Sequence, residues 1–97
     1  MDEAEVVIEY TDYDEEEGTV ESVKVVKTDD DEYPCGWEYR LHYGTVSGKT
    51  ILRYDNSHER QKGHEKHTGD EVHETEFVSM ESMLRRFHRE VDKKRKG

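Results

Sequence analysis

The segment from residue 37 to residue 56 constrains the fold more than any other part of the chain. Apolar and polar residues alternate from Trp37 to Tyr43, which is typical of a β-strand with one buried face. Ser47-Gly48 predicts a tight turn, and the run from Lys49 to Asn56 predicts the returning strand. The segment therefore predicts an antiparallel β-hairpin, which we bound at residues 37–58.

A two-residue loop at this turn gives the hairpin two chemically different faces, because it places Tyr43 opposite Leu52 and Arg40 opposite Asp55. The apolar face consists of Trp37, Tyr39, Leu41, Tyr43, Leu52 and Tyr54. These aromatic residues predict core packing, with stacking of single-stranded RNA as the alternative. The polar hairpin face consists of Arg40, His42, Arg53 and Asp55. Arginine binds phosphate and histidine exchanges protons near neutral pH, so this face predicts either phosphate binding or a solvated surface with an Arg40–Asp55 pair.

Two further strands and one helix complete the predicted fold. The β-branched runs Val6 to Tyr10 and Val20 to Thr28 predict strands within an acidic hairpin region at residues 1–36. An amphipathic helix is predicted at residues 79–94, with Ser79 as its N-cap. Its apolar face consists of Met80, Met83, Leu84, Phe87 and Val91. The sequence thus predicts an α+β fold, an antiparallel sheet of about four strands with one C-terminal amphipathic helix packed on one face.

Residues 58–73 are rich in histidine and show no hydrophobic period, which predicts a polar loop. The histidines are His58, His64, His67 and His73. Histidine is the usual general acid or base near pH 7 and a common metal ligand. The spacing does not match the H-E-x-x-H zinc pattern, and no cysteine lies nearby in sequence. We therefore expect acid–base chemistry, RNA contact or a plain polar loop here, without a metal or other cofactor, and a metal site is the weaker alternative.

Length and composition narrow the class of protein. A chain of 97 residues forms one domain, residues 1–97, without room for a deep two-domain cleft. No run approaches the ~18 apolar residues that cross a membrane, and the acidic start does not resemble a signal peptide. Cys35 is the single cysteine, which excludes an internal disulfide and predicts a structural or bystander cysteine. We expect a cytoplasmic protein that does not contact a membrane.

The charge of the chain is large and unevenly spread. The net charge is −10, and residues 1–32 hold fourteen acids and two lysines. Such an excess is typical of halophile proteins, in which acidic side chains keep the surface hydrated and salt screens their repulsion. Residues 84–97 hold seven basic and two acidic residues. This basic end predicts either an acidic or nucleic-acid partner or a helix C-terminus matched to the helix dipole.

Three segments together resemble the TumE-type toxins of toxin–antitoxin systems. They are Tyr39-Arg40-Leu41-His42-Tyr43, Arg53-Tyr54-Asp55-Asn56-Ser57-His58 and Gly63-His64-Glu65-Lys66-His67. The resemblance covers residues 37 to about 91 and gives the acidic N-terminal third no counterpart. The chain departs from the family at Ser57, where members often have alanine. It also has one histidine at the first histidine position of the loop, where many members have a pair.

The resemblance implies a growth-inhibiting toxin that is neutralised by a helix-turn-helix antitoxin protein. The family has been likened to the RelE/ParE superfamily, whose RelE-type members cut messenger RNA without a metal. We therefore expect a metal-independent endoribonuclease with RNA as substrate, and a homodimer as one arrangement. The alternative is a non-enzymatic module that binds a basic partner through its acidic third or a nucleic acid through its basic helix.

Cleavage of RNA by its own 2′-hydroxyl needs a base, an acid and positive charge at the phosphate. The expected catalytic residues are His58, His64, His67 and Asp55, with Asp55 orienting a neighbouring side chain. The expected substrate-binding residues are Arg40, His42, Arg53 and Asn56.

Overall fold

A computed structural model describes residues 4–96 of the chain, and its side chains up to residue 95. The ends of the predicted domain, residues 1–3 and 97, lie outside the described residues. The elements are strands β1 (Ala4–Asp14), β2 (Thr19–Thr28), β3 (Trp37–Thr45) and β4 (Thr50–Asp55), helix α1 (Glu59–Lys62), strands β5 (Glu65–Thr68) and β6 (Glu71–Glu74), and helix α2 (Met80–Lys96). Within this range no helix is long and apolar enough to cross a membrane.

The six strands form one antiparallel sheet in the order β1-β2-β3-β4-β5-β6. The architecture is α+β, but the prediction of about four strands is wrong, because β5 and β6 arise within the segment predicted as a polar loop. These strands carry almost no apolar residues, so hydrophobic periodicity could not reveal them. Backbone pairing holds them in place: β5 pairs with β4, with Leu52 opposite Thr68 and Asp55 opposite Glu65, and β6 pairs with β5.

The predicted register of the central hairpin is confirmed, although the predicted loop length is wrong. Arg40 lies opposite Asp55, and Tyr43 lies opposite Leu52. The loop is longer than two residues, since the Thr45 N–H bonds to the Lys49 carbonyl oxygen at 2.8 Å. The register then shifts between Tyr43 and Gly44. This bulge offsets the extra loop residue, so the side chains keep their predicted faces.

Helix α2 packs on the apolar face of the sheet, as predicted. The buried cluster consists of Val23, Val25, Tyr39, Leu41, Tyr43, Leu52, Tyr54, Met80, Met83, Phe87 and Val91. Leu84 and Trp37 are half-buried at its margin. The predicted N-cap is confirmed, because the Ser79 hydroxyl accepts the N–H of Ser82 at 3.1 Å. This buried cluster lies on one side of the sheet, and the helix leaves the polar hairpin face uncovered.

Gly44 is the tightest glycine of the hairpin, and alanine at this position should destabilise the fold. A Cβ there would lie 2.5 Å from the Lys49 carbonyl oxygen and 2.9 Å from Cε1 of His42. We expect Gly44→Ala to lower the free energy of unfolding by about 1–3 kcal/mol, measured by urea denaturation. Val46→Ala, at an exposed position of the same turn, is the control and should change it by less than about 0.5 kcal/mol. Equal effects of the two substitutions would contradict this steric interpretation.

Candidate functional site

Strand pairing brings one of the loop histidines onto the polar hairpin face. Arg53 lies opposite His42 of β3 on one side and opposite His67 of β5 on the other. Residues that are directly opposite in a sheet share a face, so His67 lies beside the predicted phosphate-binding residues. This side of the sheet holds an open cleft of about 400 Å³. Its lining residues are Lys24, Val26, Glu38, Tyr39, Arg40, Arg53, Asp55 and Ser57.

Arg53, Asp55 and His67 form a compact cluster at this cleft. Nε of Arg53 lies 2.8 Å from Oδ2 of Asp55, in an ion pair whose carboxylate is only 7% exposed. Nη2 of Arg53 donates to Nε2 of His67 at 3.1 Å. Nε2 of His67 also lies 3.5 Å from Oδ2 of Asp55. A neutral imidazole accepts from the arginine, and a protonated one donates towards the aspartate. Nε2 of His67 thus has both a hydrogen-bond donor and a carboxylate acceptor beside it.

Arg40 does not form the expected pair with Asp55. Their backbones are opposite each other, but the ion pair of Asp55 is with Arg53. The Arg40 side chain is exposed and lines the cleft. Its guanidinium therefore faces solvent, where it can meet a charged ligand.

His42 lies beside the Arg53–Asp55–His67 cluster and is held in place by its neighbours. Its Nε2 is 3.1 Å from the hydroxyl oxygen of Thr50. Burial, followed by the positive charges of Arg53 and Arg40, lowers the pKa of His42. The lowered pKa keeps this imidazole neutral at neutral pH.

The lowered pKa of His42 predicts a loss of stability in acid. The unfolded chain binds the proton more tightly than the folded one, so the free energy of unfolding falls as the pH drops below about 6.5, the ordinary pKa of histidine. Chemical denaturation of the wild type and of His42→Gln across this range measures the effect. The variant should lose less stability than the wild type, whereas His73→Gln, which removes a 59% exposed side chain, should follow the wild type. Parallel pH profiles of His42→Gln and the wild type would contradict the assignment.

Asn56 and His64 lie in a second group of side chains, at the start of β3. Asn56 is fully buried; its Oδ1 accepts the Tyr39 N–H at 2.9 Å and its Nδ2 donates to Oε2 of Glu59 at 3.0 Å. Nε2 of His64 is 3.1 Å from Oε1 of Glu59, and its Nδ1 is 2.7 Å from the Tyr39 hydroxyl. The ring also stacks on Phe77, with centroids 4.6 Å apart. The structure thus separates these two predicted site residues from His67.

Cys35, which the sequence predicted as a structural or bystander cysteine, belongs to this second group. Its Sγ donates to Oε2 of Glu59 at 3.1 Å. Burial and the hydrogen bond to Glu59 raise the pKa of Cys35 to about 12, so it is a thiol at neutral pH. Sequence reasoning missed Glu59 altogether. The one sequence signal for Glu59 is its position three residues after Asn56. This spacing indicates a side-chain contact only where the chain is known to turn into a helix, and α1 was not predicted.

His58 joins neither group. It is exposed just before α1, and its side chain makes no hydrogen bond or ion pair with any residue the structure describes. It directly follows Ser57, which lines the cleft. Its catalytic role stays a prediction.

Comparison with known proteins returns one finding. A family model described as Toxin TumE matches residues 2–95. The match includes the acidic N-terminal third, which the sequence resemblance had left without a counterpart. No curated protein and no solved structure matches the chain.

Proposed function

The chain belongs to the TumE toxin family, which makes it a toxin of a toxin–antitoxin system, and we propose that it inhibits growth by cutting RNA without a metal ion. The contact between Arg53, Asp55 and His67 is the observation that carries this proposal. It combines a fixed positive charge, a proton-exchanging group and an orienting carboxylate at an open cleft.

Each member of this cluster has a role in cleavage by the 2′-hydroxyl. The 2′-oxygen bonds to phosphorus while the bond from phosphorus to the 5′-oxygen breaks. One group takes the proton of the 2′-hydroxyl and a second gives a proton to the departing 5′-oxygen. His67 fills one of these two roles, and Asp55 orients its ring. Arg53 stabilises the negative charge that develops on the phosphorane. The products would be a 2′,3′-cyclic phosphate and a 5′-hydroxyl.

The neighbouring residues would hold the RNA. Arg40 is exposed at the cleft, and Lys24 lines it from β2, so both can contact phosphate. His42 is kept neutral by its surroundings and can donate or accept a hydrogen bond at the phosphate. His58 follows the cleft residue Ser57, which makes it the candidate for the second proton-exchanging group.

Asn56 and His64 would act indirectly in this proposal. Asn56 directly follows Asp55, and its buried amide bonds to the Tyr39 N–H and thereby fixes the end of β4. His64 fixes the start of β5 through Glu59 and Tyr39. Both are therefore proposed as positioning residues for the cluster.

We propose a helix-turn-helix antitoxin as the protein partner. An antitoxin that covers the cleft beside Arg40 would block access of RNA to His67. The homodimer stays a prediction.

The test compares wild type with Arg53→Gln, using total RNA with and without EDTA. Wild type should cut in EDTA and leave 2′,3′-cyclic phosphate ends, and Arg53→Gln should cut about 10²-fold more slowly. Arg60→Gln, an exposed change in α1, is the matched control and should cut like wild type. Circular dichroism of each sample checks that it remains folded. Cleavage lost in EDTA by folded protein, or unchanged in Arg53→Gln, would contradict the proposal.

The second candidate is the non-enzymatic interaction module, and the exposed edge of the sheet favours it. Strand β1 lies at this edge and carries Val6 and Val7, each about half exposed. Acidic neighbours in the same strand, Glu5 and Glu9, would suit a basic extended partner. Growth arrest without RNA cleavage would favour this alternative.

A further inference from the structure

Three potential metal ligands meet between β3, α1 and β5, and none of them belongs to the Arg53–Asp55–His67 cluster. The Sγ of Cys35, a carboxylate oxygen of Glu59 and a ring nitrogen of His64 all lie within 4.8 Å of one another. We propose that the Cys35–Glu59–His64 group is a zinc site. The proposal does not depend on the RNA-cleaving activity.

The donor set fits Zn²⁺ in type and in spacing. Thiolate, imidazole and carboxylate are the ligands that zinc uses in proteins, and three of them leave a fourth position for water. Ligand atoms of a tetrahedral zinc are about 3.5 Å apart, given the usual bond lengths. In the metal-free group, Sγ of Cys35 and Oε2 of Glu59 are 3.1 Å apart, as are Nε2 of His64 and Oε1 of Glu59. Zinc would displace the Cys35 thiol proton to solvent and would bind Nε2 of neutral His64, whose ring proton would then lie on Nδ1 and donate to the Tyr39 hydroxyl. The side chains would need to move little.

A second layer of hydrogen bonds already orients the ligands. The Tyr39 hydroxyl contacts Nδ1 of His64 at 2.7 Å, which leaves Nε2 directed at Glu59. The amide of Asn56 donates to Oε2 of Glu59 at 3.0 Å. The side chains of His64 and Glu59 are only 12% and 8% exposed. Such partners fix the tautomer and ring orientation of ligating histidines in metalloproteins.

The other group of similar composition shows why the first is the better site. Asp55, Glu65 and His67 also bring their ligand atoms within 4.8 Å of one another. There, however, the Arg53 guanidinium lies 2.8 Å from Asp55 and 3.1 Å from His67, so a positive charge already occupies the position of a metal. No lysine or arginine makes a hydrogen bond or ion pair with the Cys35–Glu59–His64 group in the part of the chain that the structure describes. Of these two groups, the local charge therefore favours a bound cation only at Cys35–Glu59–His64.

A zinc ion here would join three parts of the chain that are already linked by hydrogen bonds to Glu59. Cys35 precedes β3, Glu59 starts α1, and His64 directly precedes β5. The polar strands β5 and β6 have little apolar area to anchor them. The metal would therefore fix the position of β5, and metal binding would appear as added stability.

The probe is Co²⁺, followed by competition with Zn²⁺, on the full chain. Wild type should bind one Co²⁺ with a sulfur-to-cobalt charge-transfer band and a tetrahedral visible spectrum, and Zn²⁺ should displace it. Cys35→Ser should lose the charge-transfer band, and Tyr39→Phe should weaken Co²⁺ binding about 10- to 100-fold. The matched control is Glu65→Gln, which alters the other carboxylate–histidine group and should leave Co²⁺ affinity unchanged. Excess Zn²⁺ should raise the melting temperature of wild type by roughly 10 °C or more.

Several outcomes would overturn the proposal. The first is wild-type protein without a charge-transfer band, and the second is Co²⁺ binding that survives both Cys35→Ser and Glu59→Gln. Binding lost only in His73→Gln would assign the metal to the surface. If Cys35→Ser does not fold, the wild-type spectrum and Glu59→Gln decide the question. RNA cleavage plays no part in these measurements, so their failure would leave the proposed function untouched.

Discussion

Replacing His67 by glutamine is expected to lower the rate of RNA cleavage by about 10²- to 10⁴-fold, the usual contribution of a general acid or base. Glutamine can still bond to Arg53 and Asp55, but it cannot exchange a proton at neutral pH. The His67 side chain is 17% exposed and contacts the cleft residues Arg53 and Asp55 outside the buried cluster, so the variant should keep its fold. The single-turnover rate on a defined RNA measures the effect, and growth on expression measures its consequence.

The pH dependence separates a chemical role of His67 from a structural one. The wild-type rate should change with pH near the pKa of the proton-exchanging group, and the residual rate of His67→Gln should lose that dependence. His73→Gln is the matched control, because it makes the same change at an exposed site and should cut RNA at the wild-type rate. A folded His67→Gln protein as fast as wild type would remove His67 from the mechanism.

Phe87→Ala is expected to have the largest effect on stability, lowering the free energy of unfolding by about 3–5 kcal/mol. Phe87 is completely buried between α2 and the sheet, and its ring meets Tyr54 edge-on with centroids 6.4 Å apart. Truncation would leave a cavity in the one layer that joins the helix to the strands. Guanidinium denaturation measures the loss, which is a large part of the stability of a domain this small.

Val78→Ala provides the control for this experiment, because the Val78 side chain is 71% exposed just before α2. It should change the free energy of unfolding by less than about 0.5 kcal/mol. If Phe87→Ala costs less than about 1 kcal/mol, the helix does not depend on this contact for its position on the sheet. If the free energy of unfolding depends on guanidinium concentration with the same slope in both variants as in wild type, the variants unfold from the same compact state.

The elements with a strong hydrophobic pattern were predictable from the sequence. The register of Arg40 opposite Asp55 follows from the alternation of β3 and β4, since a slip of one residue would turn the aromatic side chains to solvent. The helical period of Met80, Met83, Phe87 and Val91 located α2, and its buried positions match that prediction. In both cases the buried face itself determines the periodicity of the sequence.

Strands β5 and β6 were missed because their conformation comes from pairing and not from burial. Apart from Val72 they are polar, and the cue in the sequence is the Gly69-Asp70 pair. Glycine followed by aspartate is a two-residue hairpin signal, and Gly69 has the positive φ, 60°, that such a turn requires. The turn would have indicated the hairpin, although not that β5 pairs with β4.

The candidate site was predictable in composition but not in arrangement. The sequence named Arg53, Asp55 and His67, yet only the pairing of β5 with β4 places the histidine beside the arginine. It also treated His64 and His67 alike, whereas His64 directly precedes β5 and His67 lies within it. Successive residues of an extended chain point to opposite faces, so the odd spacing of three places the two side chains in different groups. Contacts between distant segments, such as Cys35 with Glu59, leave no local pattern in the sequence.

The order of the strands has a consequence for how the protein is made. Each strand pairs with its neighbour in sequence, and α2 alone returns across a long stretch of chain to cover β3. Successive hairpins can therefore close as they leave the ribosome, since no strand waits for a distant partner. The aromatic face of the sheet is buried only later, because the helix that covers it is translated after all six strands. Nascent chains that stall before α2 should be open to proteases, so growth inhibition would come from completed translation alone.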